Sequence, residues 1–232
     1  MTSKVITVDE AVAMIPDGTV LMVGGFAASG HARLILQGIV EAGRKNLTLI
    51  SNDTGDVNIP GKHIGILTLN HCVKKAIVSH IGMNRETVRQ FNAGELEIEF
   101  CPQGTLTERA RAAGYGLGGV LTPTGVGTDV AIGKQVINVD GRDYLLEKPL
   151  FADVCIAVAK KADTMGNCVL YGSAVSHTTS FMTAAKTTIV QAEQIVEPGE
   201  IAPEDVTMPG IFVDYLVEGT NDYDERTVYA NV

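Results

Sequence analysis

Short apolar runs alternate with amphipathic segments of helical length along the first half of the chain. Four runs have the length and apolar content of buried strands: 19–23, 47–50, 76–78 and 96–100. Three other segments are predicted to be helices: 31–42, 84–92 and 105–113. Thr105, followed three residues later by Glu108, predicts a capping box for the third helix, whose Arg109 and Arg111 should face solvent or a ligand. This alternation predicts βαβ units and a mainly parallel sheet covered by helices on both faces.

The second half of the chain contains strand-like runs with few helices between them. Residues 135–139 and 144–147 flank Asp140-Gly141, a pair that favours the positive φ angles of a hairpin turn. Three further runs are predicted strands: 152–159, 168–171 and 187–191. Because no Pro- or Ser-rich linker interrupts the chain, we expect a single α/β domain over 1–218 with an antiparallel hairpin appendage. Residues 219–232 are expected to form a mobile tail.

The charge balance and the apolar runs limit the classes of partner. Lys and Arg total 18 against 27 Asp and Glu, and the resulting net charge of −9 argues against a nucleic-acid partner. No apolar run reaches eighteen residues and the N-terminus lacks an apolar signal region, so we expect no membrane segment and a cytoplasmic protein. The four cysteines form no C-x-x-C pair and are expected to be buried thiols.

Several motifs of other enzyme classes are incomplete in this sequence. The five histidines lack metal-ligand spacing, and Ser29 lacks the G-x-S-x-G context of a hydrolase nucleophile. Residues 114–119 fit G-x-G-x-x-G, but they follow a predicted helix instead of a strand, which is the wrong context for a dinucleotide. We therefore expect neither a metal nor a nucleotide redox cofactor.

The strand at 19–23 runs directly into a glycine-rich corner, 24–30, and then into a helix. Backbone amides at such a corner and the following helix N-terminus can bind an anion, and adjacent glycines allow a ligand to approach the main chain. An ordinary tight turn is the alternative interpretation.

Gln103 follows the strand at 96–100, so its amide could donate a hydrogen bond to a developing oxyanion, unless it is simply a surface residue. Residues 122–128 are either a ligand-binding strand end or an exposed loop.

Six segments, in this order along the chain, together carry a family resemblance. They are 17–30, 51–54, 102–106, 122–128, 144–150 and 184–190. From about residue 5 to about residue 218, the sequence resembles the α subunit of family I CoA-transferases, of the 3-oxoacid and butyrate–acetoacetate type. The resemblance implies an open, mainly parallel α/β fold of the sugar-isomerase/CoA-transferase type.

The resemblance also implies a ping-pong reaction shared between two subunits. A glutamate of the β subunit attacks an acyl-CoA, an enzyme-bound glutamyl-CoA thioester forms, and a second carboxylic acid then takes over the CoA. This chain contains no Ser-Glu-Asn-Gly or similar nucleophile segment, so it should supply half of an active site. The expected partner is a β subunit, in a heterodimer or heterotetramer. The expected substrates are coenzyme A esters of short-chain acids and the free acids acetate, butyrate or acetoacetate.

By resemblance, a contiguous loop is the CoA-binding signature: Gly24, Gly25, Phe26, Ala27, Ala28, Ser29 and Gly30. Gln103 matches the family glutamine that lines the oxyanion hole, and residues 124–128 should border the same cleft.

Two departures from the family pattern are present: the first is mild, and the second concerns the acid that is accepted. The sequence Gly30-His31-Ala32 lacks the usual proline, and residues 174–179 replace the usual Ala-Arg-Asn-Phe-Asn-Pro stretch with Ala-Val-Ser-His-Thr-Thr. Changed polar groups near a cleft can alter the acid that binds, so branched, dicarboxylic or aromatic acids remain alternatives. A non-catalytic ligand-sensing domain is a further alternative. A sugar-phosphate isomerase would need an acid/base carboxylate and basic phosphate ligands, and no such set is evident.

Overall fold

The computed structural model describes residues 4–56 and 63–220. Within them the chain forms six α-helices: α1 (Val8–Ala13), α2 (Arg33–Glu41), α3 (Gly65–Leu69), α4 (Arg85–Asn92), α5 (Gln103–Gly114) and α6 (Thr178–Ala184). It also forms eleven strands: β1 (Val20–Val23), β2 (Leu47–Ile50), β3 (Val73–Val78), β4 (Glu97–Phe100), β5 (Val120–Thr122), β6 (Val136–Val139), β7 (Arg142–Glu147), β8 (Ala152–Asp163), β9 (Cys168–Val169), β10 (Ala185–Val196) and β11 (Tyr215–Glu218). Four short 3-10 helices complete these elements: Asp129–Ala131, Gly172–Val175, Pro203–Asp205 and Gly210–Phe212.

Seven parallel strands form the main sheet, in the order β11-β10-β8-β1-β2-β3-β4. Strand β9 joins antiparallel to the far end of β8. From the central strand β1 the chain first builds towards β4 and later returns to β8 on the other side. The carboxyl ends of β1 and β8 therefore mark a topological switch point, which is where open α/β sheets bind ligands. The predicted mainly parallel sheet is confirmed.

The sheet strands differ greatly in length. Strands β1 and β2 have four residues each, whereas β8 and β10 have twelve. Val23 at the end of β1 pairs with Ile156, so β8 continues to Asp163 well past the point where β1 ends. This mismatch leaves the end of β1 beside a longer pair of strands.

A separate hydrophobic core lies on each face of the sheet. On one face, Leu21 and Leu49 pack with Ile35 of α2. On the other face, Met22 packs in a cluster with Phe181 of α6. Because successive strand residues point to opposite faces and both faces are covered, the strands are continuous apolar runs.

The second half contains the predicted antiparallel appendage. Asp140 and Gly141 have φ angles of +51° and +82°, so the predicted hairpin turn between β6 and β7 is confirmed. The appendage has a third strand, because β5 pairs antiparallel with β7. Residues 122–128 therefore begin at the end of a strand of the small sheet, and not at the end of a strand of the parallel sheet.

The start of α5 differs from the prediction. The helix begins at Gln103, with Pro102 as N-cap, and Thr105 lies inside its first turn with a buried hydroxyl. The predicted Thr105–Glu108 capping box is therefore wrong, because the chain enters the helix one turn earlier, at the proline. A capping box exists instead at α1, where the Glu10 amide donates to the Thr7 hydroxyl at 3.2 Å.

All four cysteines are buried and free, as predicted. Burial raises the pKa of each thiol, to about 12 for Cys168, so none is a reactive thiolate at neutral pH.

None of the helices in 4–56 and 63–220 is long and apolar enough to cross a membrane. The predicted mobile tail falls almost entirely on residues 221–232, outside the described residues, and the boundary at 218 stays a prediction.

A glycine allows α5 and α6 to pack closely. A Cβ added at Gly114 would lie 2.8 Å from the carbonyl oxygen of Thr183 and closer still to the hydroxyl of that residue. Both contacts belong to α6, and one of them is main chain, which has little room to move. Because α5 begins at Gln103 and α6 follows His177, this contact fixes two helices that start at the same edge of the sheet.

We predict that Gly114→Ala lowers the free energy of unfolding by about 1–3 kcal/mol, because overpacking forces the two helices apart. Gly104→Ala is the matched control on the same helix, since a Cβ there meets nothing within 4 Å. The control should be neutral or stabilising by up to about 1 kcal/mol, from the better helix propensity of Ala. Urea unfolding of both variants tests this, and equal effects would contradict the packing argument.

Candidate functional site

The glycine corner after β1 is a closed turn. The amide of Phe26 donates to the carbonyl of Ser29 at 2.9 Å, and the amide of Ser29 donates back to Phe26 at 2.9 Å. Gly25, Ala27 and Gly30 have positive φ angles of +105°, +55° and +73°. Phe26 is the exposed residue of the turn, with 39% of its surface accessible. The loop therefore exposes Phe26 directly after the carboxyl end of β1.

The paired glycines are required by the protein's own packing. A Cβ at Gly25 would lie 2.6 Å from the carbonyl oxygen of Ser29, and one at Gly24 would lie 2.6 Å from the hydroxyl of Thr178. The Gly25 amide donates to the same Thr178 hydroxyl at 3.2 Å. Packing against α6 at Gly24 and crowding within the turn at Gly25 thus explain the two glycines without a ligand, and contact with CoA stays a prediction for residues 24–30.

A buried carboxylate ties the corner to the end of β2. Asp53 accepts hydrogen bonds at Oδ2 from the Ala27 amide (2.9 Å) and from Asn52 Nδ2 (2.7 Å). Its Oδ1 accepts from the Gly55 amide at 2.7 Å. Asp53 is 2% exposed, so these three donors replace the water that a carboxylate otherwise requires. The positions of both loops depend on this side chain.

His31, which precedes the Ala32 that stands in place of the family's proline, lies buried beneath the corner. Burial lowers the pKa of His31 to about 3, and the neighbouring His63 and Arg33 act in the same direction against the attraction of Asp53. The rings of His31 and His63 are 6.5 Å apart. At neutral pH His31 is therefore an uncharged packing residue, and α2 begins after it without a side-chain cap at Ala32.

His177, in the second departure, joins the β2 end to α5. Its Nε2 lies 3.0 Å from Asn52 Oδ1 and its Nδ1 lies 2.7 Å from the hydroxyl of Thr107. Gln103 Nε2 is 3.5 Å from the same His177 Nε2. Burial lowers the pKa of His177, so the ring is neutral at pH 7. The structure thus places Gln103 beside a ring that is hydrogen-bonded to Asn52.

Gln103 is exposed at the start of α5, beside a groove of about 670 Å³ between that helix and β5. The groove is lined by Pro102, Gly104, Thr105, Thr107, Glu108, Arg111, Val120, Leu121, Thr122 and Thr124. Thr122 and Thr124 therefore border this groove. Thr128, at the other end of the predicted segment, instead accepts a hydrogen bond from the Val130 amide at 3.3 Å.

The two arginines of α5 have different environments. Arg109 does not face solvent or a ligand, because its guanidinium donates to Glu99 at 3.1 Å and to the carbonyl of Lys148 at 3.0 Å. It ties α5 to the edge strand and to the loop before β8, which corrects the prediction. Arg111 lies on the groove and pairs with Glu108. Within the described parts of the chain, no three His, Cys, Asp or Glu side chains are grouped so as to hold a metal ion.

The sequence by itself assigns no role to Asn52, Asp53, Thr107 or His177. Asn52 and Asp53 lie in segment 51–54, which carries the family resemblance, and His177 lies in segment 174–179, which departs from the family pattern. The sequence does contain a signal for Asn52 and Asp53, because polar residues that directly follow a buried strand lie at the ligand-binding edge of a parallel sheet. No local sequence pattern links His177 to Asn52, which lies 125 residues away along the chain.

Comparison with known proteins indicates one family for this chain. A model of the family described as Coenzyme A transferase matches residues 5–219. The chain is 42% identical over 217 residues to the acetate CoA-transferase subunit alpha of Escherichia coli strain K12, covering 94% of this chain and 97% of that protein. It is also 42% identical over 218 residues to the acetoacetyl-CoA:acetate/butyrate CoA transferase alpha subunit of Clostridium acetobutylicum, covering 94% and 99%.

A solved structure shares the fold. The acyl-CoA transferase from Escherichia coli O157:H7, in a thioester complex with CoA, superposes with a TM-score of 0.84 at 22% identity. The match covers 95% of this chain and 48% of that one, so the chain spans about half the length of that enzyme. The resemblance deduced from the six sequence segments is confirmed: the chain belongs to the coenzyme A transferase family.

Proposed function

We propose that this chain is the α subunit of a cytoplasmic, heteromeric CoA-transferase that moves CoA between a short-chain acyl-CoA and a free acid. Acetate, butyrate and acetoacetate are the proposed acids. The observation that carries the proposal is the placement of the Gln103 amide beside the His177 ring, which is hydrogen-bonded to Asn52 of the Asn52–Asp53 pair that holds the glycine corner. The names of the two relatives, both alpha subunits of CoA-transferases, support it.

The nucleophile is proposed to come from the partner. Asp53 is the carboxylate at the centre of this site, but three hydrogen bonds occupy its oxygens and it is buried. A carboxylate that is held in this way is a poor nucleophile. A glutamate of a β subunit would attack the thioester carbonyl and expel the CoA thiolate. The thiolate would then attack the resulting anhydride at the glutamyl carbonyl, which releases the first acid and leaves a glutamyl-CoA thioester.

Each attack on a carbonyl creates an oxyanion, and the start of α5 provides donors for it. Gln103 carries two amide N–H bonds at the first position of the helix. The main-chain N–H groups of the first turn have no partner within the helix, and the helix dipole adds partial positive charge there. The Gln103 amide and this helix end are therefore suited to stabilise the developing negative charge.

The groove beside Gln103 favours an acid with a single carboxylate. Its one cationic lining residue, Arg111, is paired with Glu108 in the same groove. A second carboxylate on the substrate would have to break that pair to gain a cationic partner from this lining. An apolar chain would instead meet Val120 and Leu121.

We predict that CoA transfer from acetyl-CoA to butyrate and acetoacetate occurs only when this chain is co-purified with the product of the neighbouring reading frame. Succinate, tested as the dicarboxylic control, should be a poorer acceptor. Activity of the chain alone would place a nucleophile on this chain and contradict the shared site. Inactivity of the mixture with every acid would favour a ligand-sensing domain.

We predict that Gln103→Ala in the assembled complex lowers kcat roughly a hundred- to a thousandfold, the usual loss for removing an oxyanion donor. The KM for acetyl-CoA should change little, because the amide acts mainly in the transition state. Gln37→Ala, which removes an exposed amide on α2 that bonds Glu41, is the control and should keep normal turnover. Normal turnover of the Gln103 variant would remove this residue from the mechanism.

A further inference from the structure

We propose that the glycine corner of residues 24–30 contacts the uncharged pantetheine arm of the acyl-CoA through the ring of Phe26, and does not hold the phosphates of that substrate. The inference rests on the proposed function and deepens it, because it names the part of the substrate that meets this loop. It also revises the chemistry expected from the sequence, in which the amides of the corner and the N-terminus of the following helix bind an anion.

The main-chain amides of the corner are already used inside the protein. Five of them donate to protein acceptors: those of Gly24, Gly25, Phe26, Ala27 and Ser29. The acceptors are main-chain carbonyls, the Thr178 hydroxyl and the Asp53 carboxylate. Ala28 and Gly30, the other two residues of the corner, are buried. A phosphate bound to this turn would therefore have to displace acceptors that the fold already supplies.

The helix end that follows the corner is covered as well. Helix α2 begins at Arg33, directly after Ala32, which is fully buried. In its first turn, the amide of Leu34 donates to Oε1 of Gln191 at 2.9 Å. The first turn of α5, by contrast, has no side-chain cap and lines the groove. The partial positive charge of a helix N-terminus is thus offered to a ligand by α5 and not by α2.

The charges around the corner also disfavour a phosphate. The carboxylate of Asp53 lies 2.9 Å from the Ala27 amide. Residues 24–36 contain one Lys or Arg, which is Arg33. The guanidinium of Arg33 is buried and lies 3.5 Å from the carbonyl of Ala28. A phosphate at the turn would face a carboxylate, and this segment has no surface cation to offset the repulsion.

The surface that the corner does present is apolar. Phe26 is exposed and Ala27 is half-buried, whereas the other residues of the corner are buried. The turn is held by the two hydrogen bonds that Phe26 and Ser29 exchange, and Asp53 holds Ala27 at a φ angle of +55°. The ring of Phe26 therefore stands on a fixed turn, so that a ligand does not have to order the loop when it binds.

The corner lies near the thioester end of the substrate. Asp53, which holds Ala27, also accepts a hydrogen bond from Asn52. The oxygen of Asn52 contacts the His177 ring, and that ring lies beside Gln103. If the reacting carbonyl is at Gln103, the part of acyl-CoA next to it is the pantetheine arm, whose methylene and methyl groups suit a phenyl ring. The phosphates follow only beyond this arm.

The test measures kcat/KM for two donors in the complex co-purified with the partner subunit, with butyrate as acceptor. Phe26→Ala should lower kcat/KM roughly tenfold for acetyl-CoA, the usual effect of losing part of a buried aromatic contact. The same factor is expected for acetyl-pantetheine, which lacks the nucleotide and its phosphates. Phe151→Ala removes an exposed ring just before the amino end of β8 and is the control, which should leave both values unchanged.

Phe26→Lys tests the charge of the bound group without a truncated donor. Beside the uncharged arm, the lysine only removes the apolar contact, so kcat/KM for acetyl-CoA should fall about as far as in Phe26→Ala. The fall should be the same at low and at high ionic strength. Beside a phosphate, the lysine would instead raise kcat/KM above that of the alanine variant, and added salt would screen this gain.

The outcomes that contradict the inference are distinct from failure of the proposed function. A loss for acetyl-CoA without a loss for acetyl-pantetheine would assign the Phe26 ring to the nucleotide end of the substrate. A salt-sensitive gain in Phe26→Lys would place a phosphate at the corner. Normal kcat/KM of Phe26→Ala with both donors would show that the corner does not contact the arm, although the complex still transfers CoA. Inactivity of the wild-type complex with every acid would refute the proposed function itself.

Discussion

The buried carboxylate of Asp53 is the interaction on which the arrangement of the site depends. An ionised group without water is tolerated only when donors surround it, and here the donors come from Ala27, Asn52 and Gly55. One side chain therefore holds the corner after β1 against the end of β2. Because the carboxylate cannot donate, it also imposes a direction on the polar groups beyond it, as far as the His177 ring.

The fold brings these groups together by ending several elements at one edge of the sheet. Strands β1 and β2 are parallel neighbours, so their carboxyl ends bring Gly24 and Asn52 to the same level. Helix α5 starts there after β4, and α6 starts there after the chain has crossed to the other side of the sheet. The close contact of Gly114 with Thr183 then holds the two helices against each other.

Much of this arrangement is visible in the sequence, because local physics specifies it. Apolar runs predict the parallel strands, and Asp140-Gly141 predicts the hairpin turn through its backbone preferences. The pairing of β5 with β7 and the first residue of α5 could not be predicted, because the periodicity of hydrophobic residues fixes neither of them. The contact between Asn52 and His177 escapes it for a different reason: a hydrogen bond between distant segments leaves no pattern in either segment.

The unequal strand lengths have a consequence for access to the site. Beyond Ile156, strand β8 continues for seven residues to Asp163, which is about 23 Å at the usual rise of a strand. Strand β10 runs beside it over the same distance. Together they make a ledge on one flank of the glycine corner, whereas β2 and β3 end level with it on the other flank. From the side of β8 and β10, access to the glycine corner therefore passes this ledge, whereas β2 and β3 present no such extension.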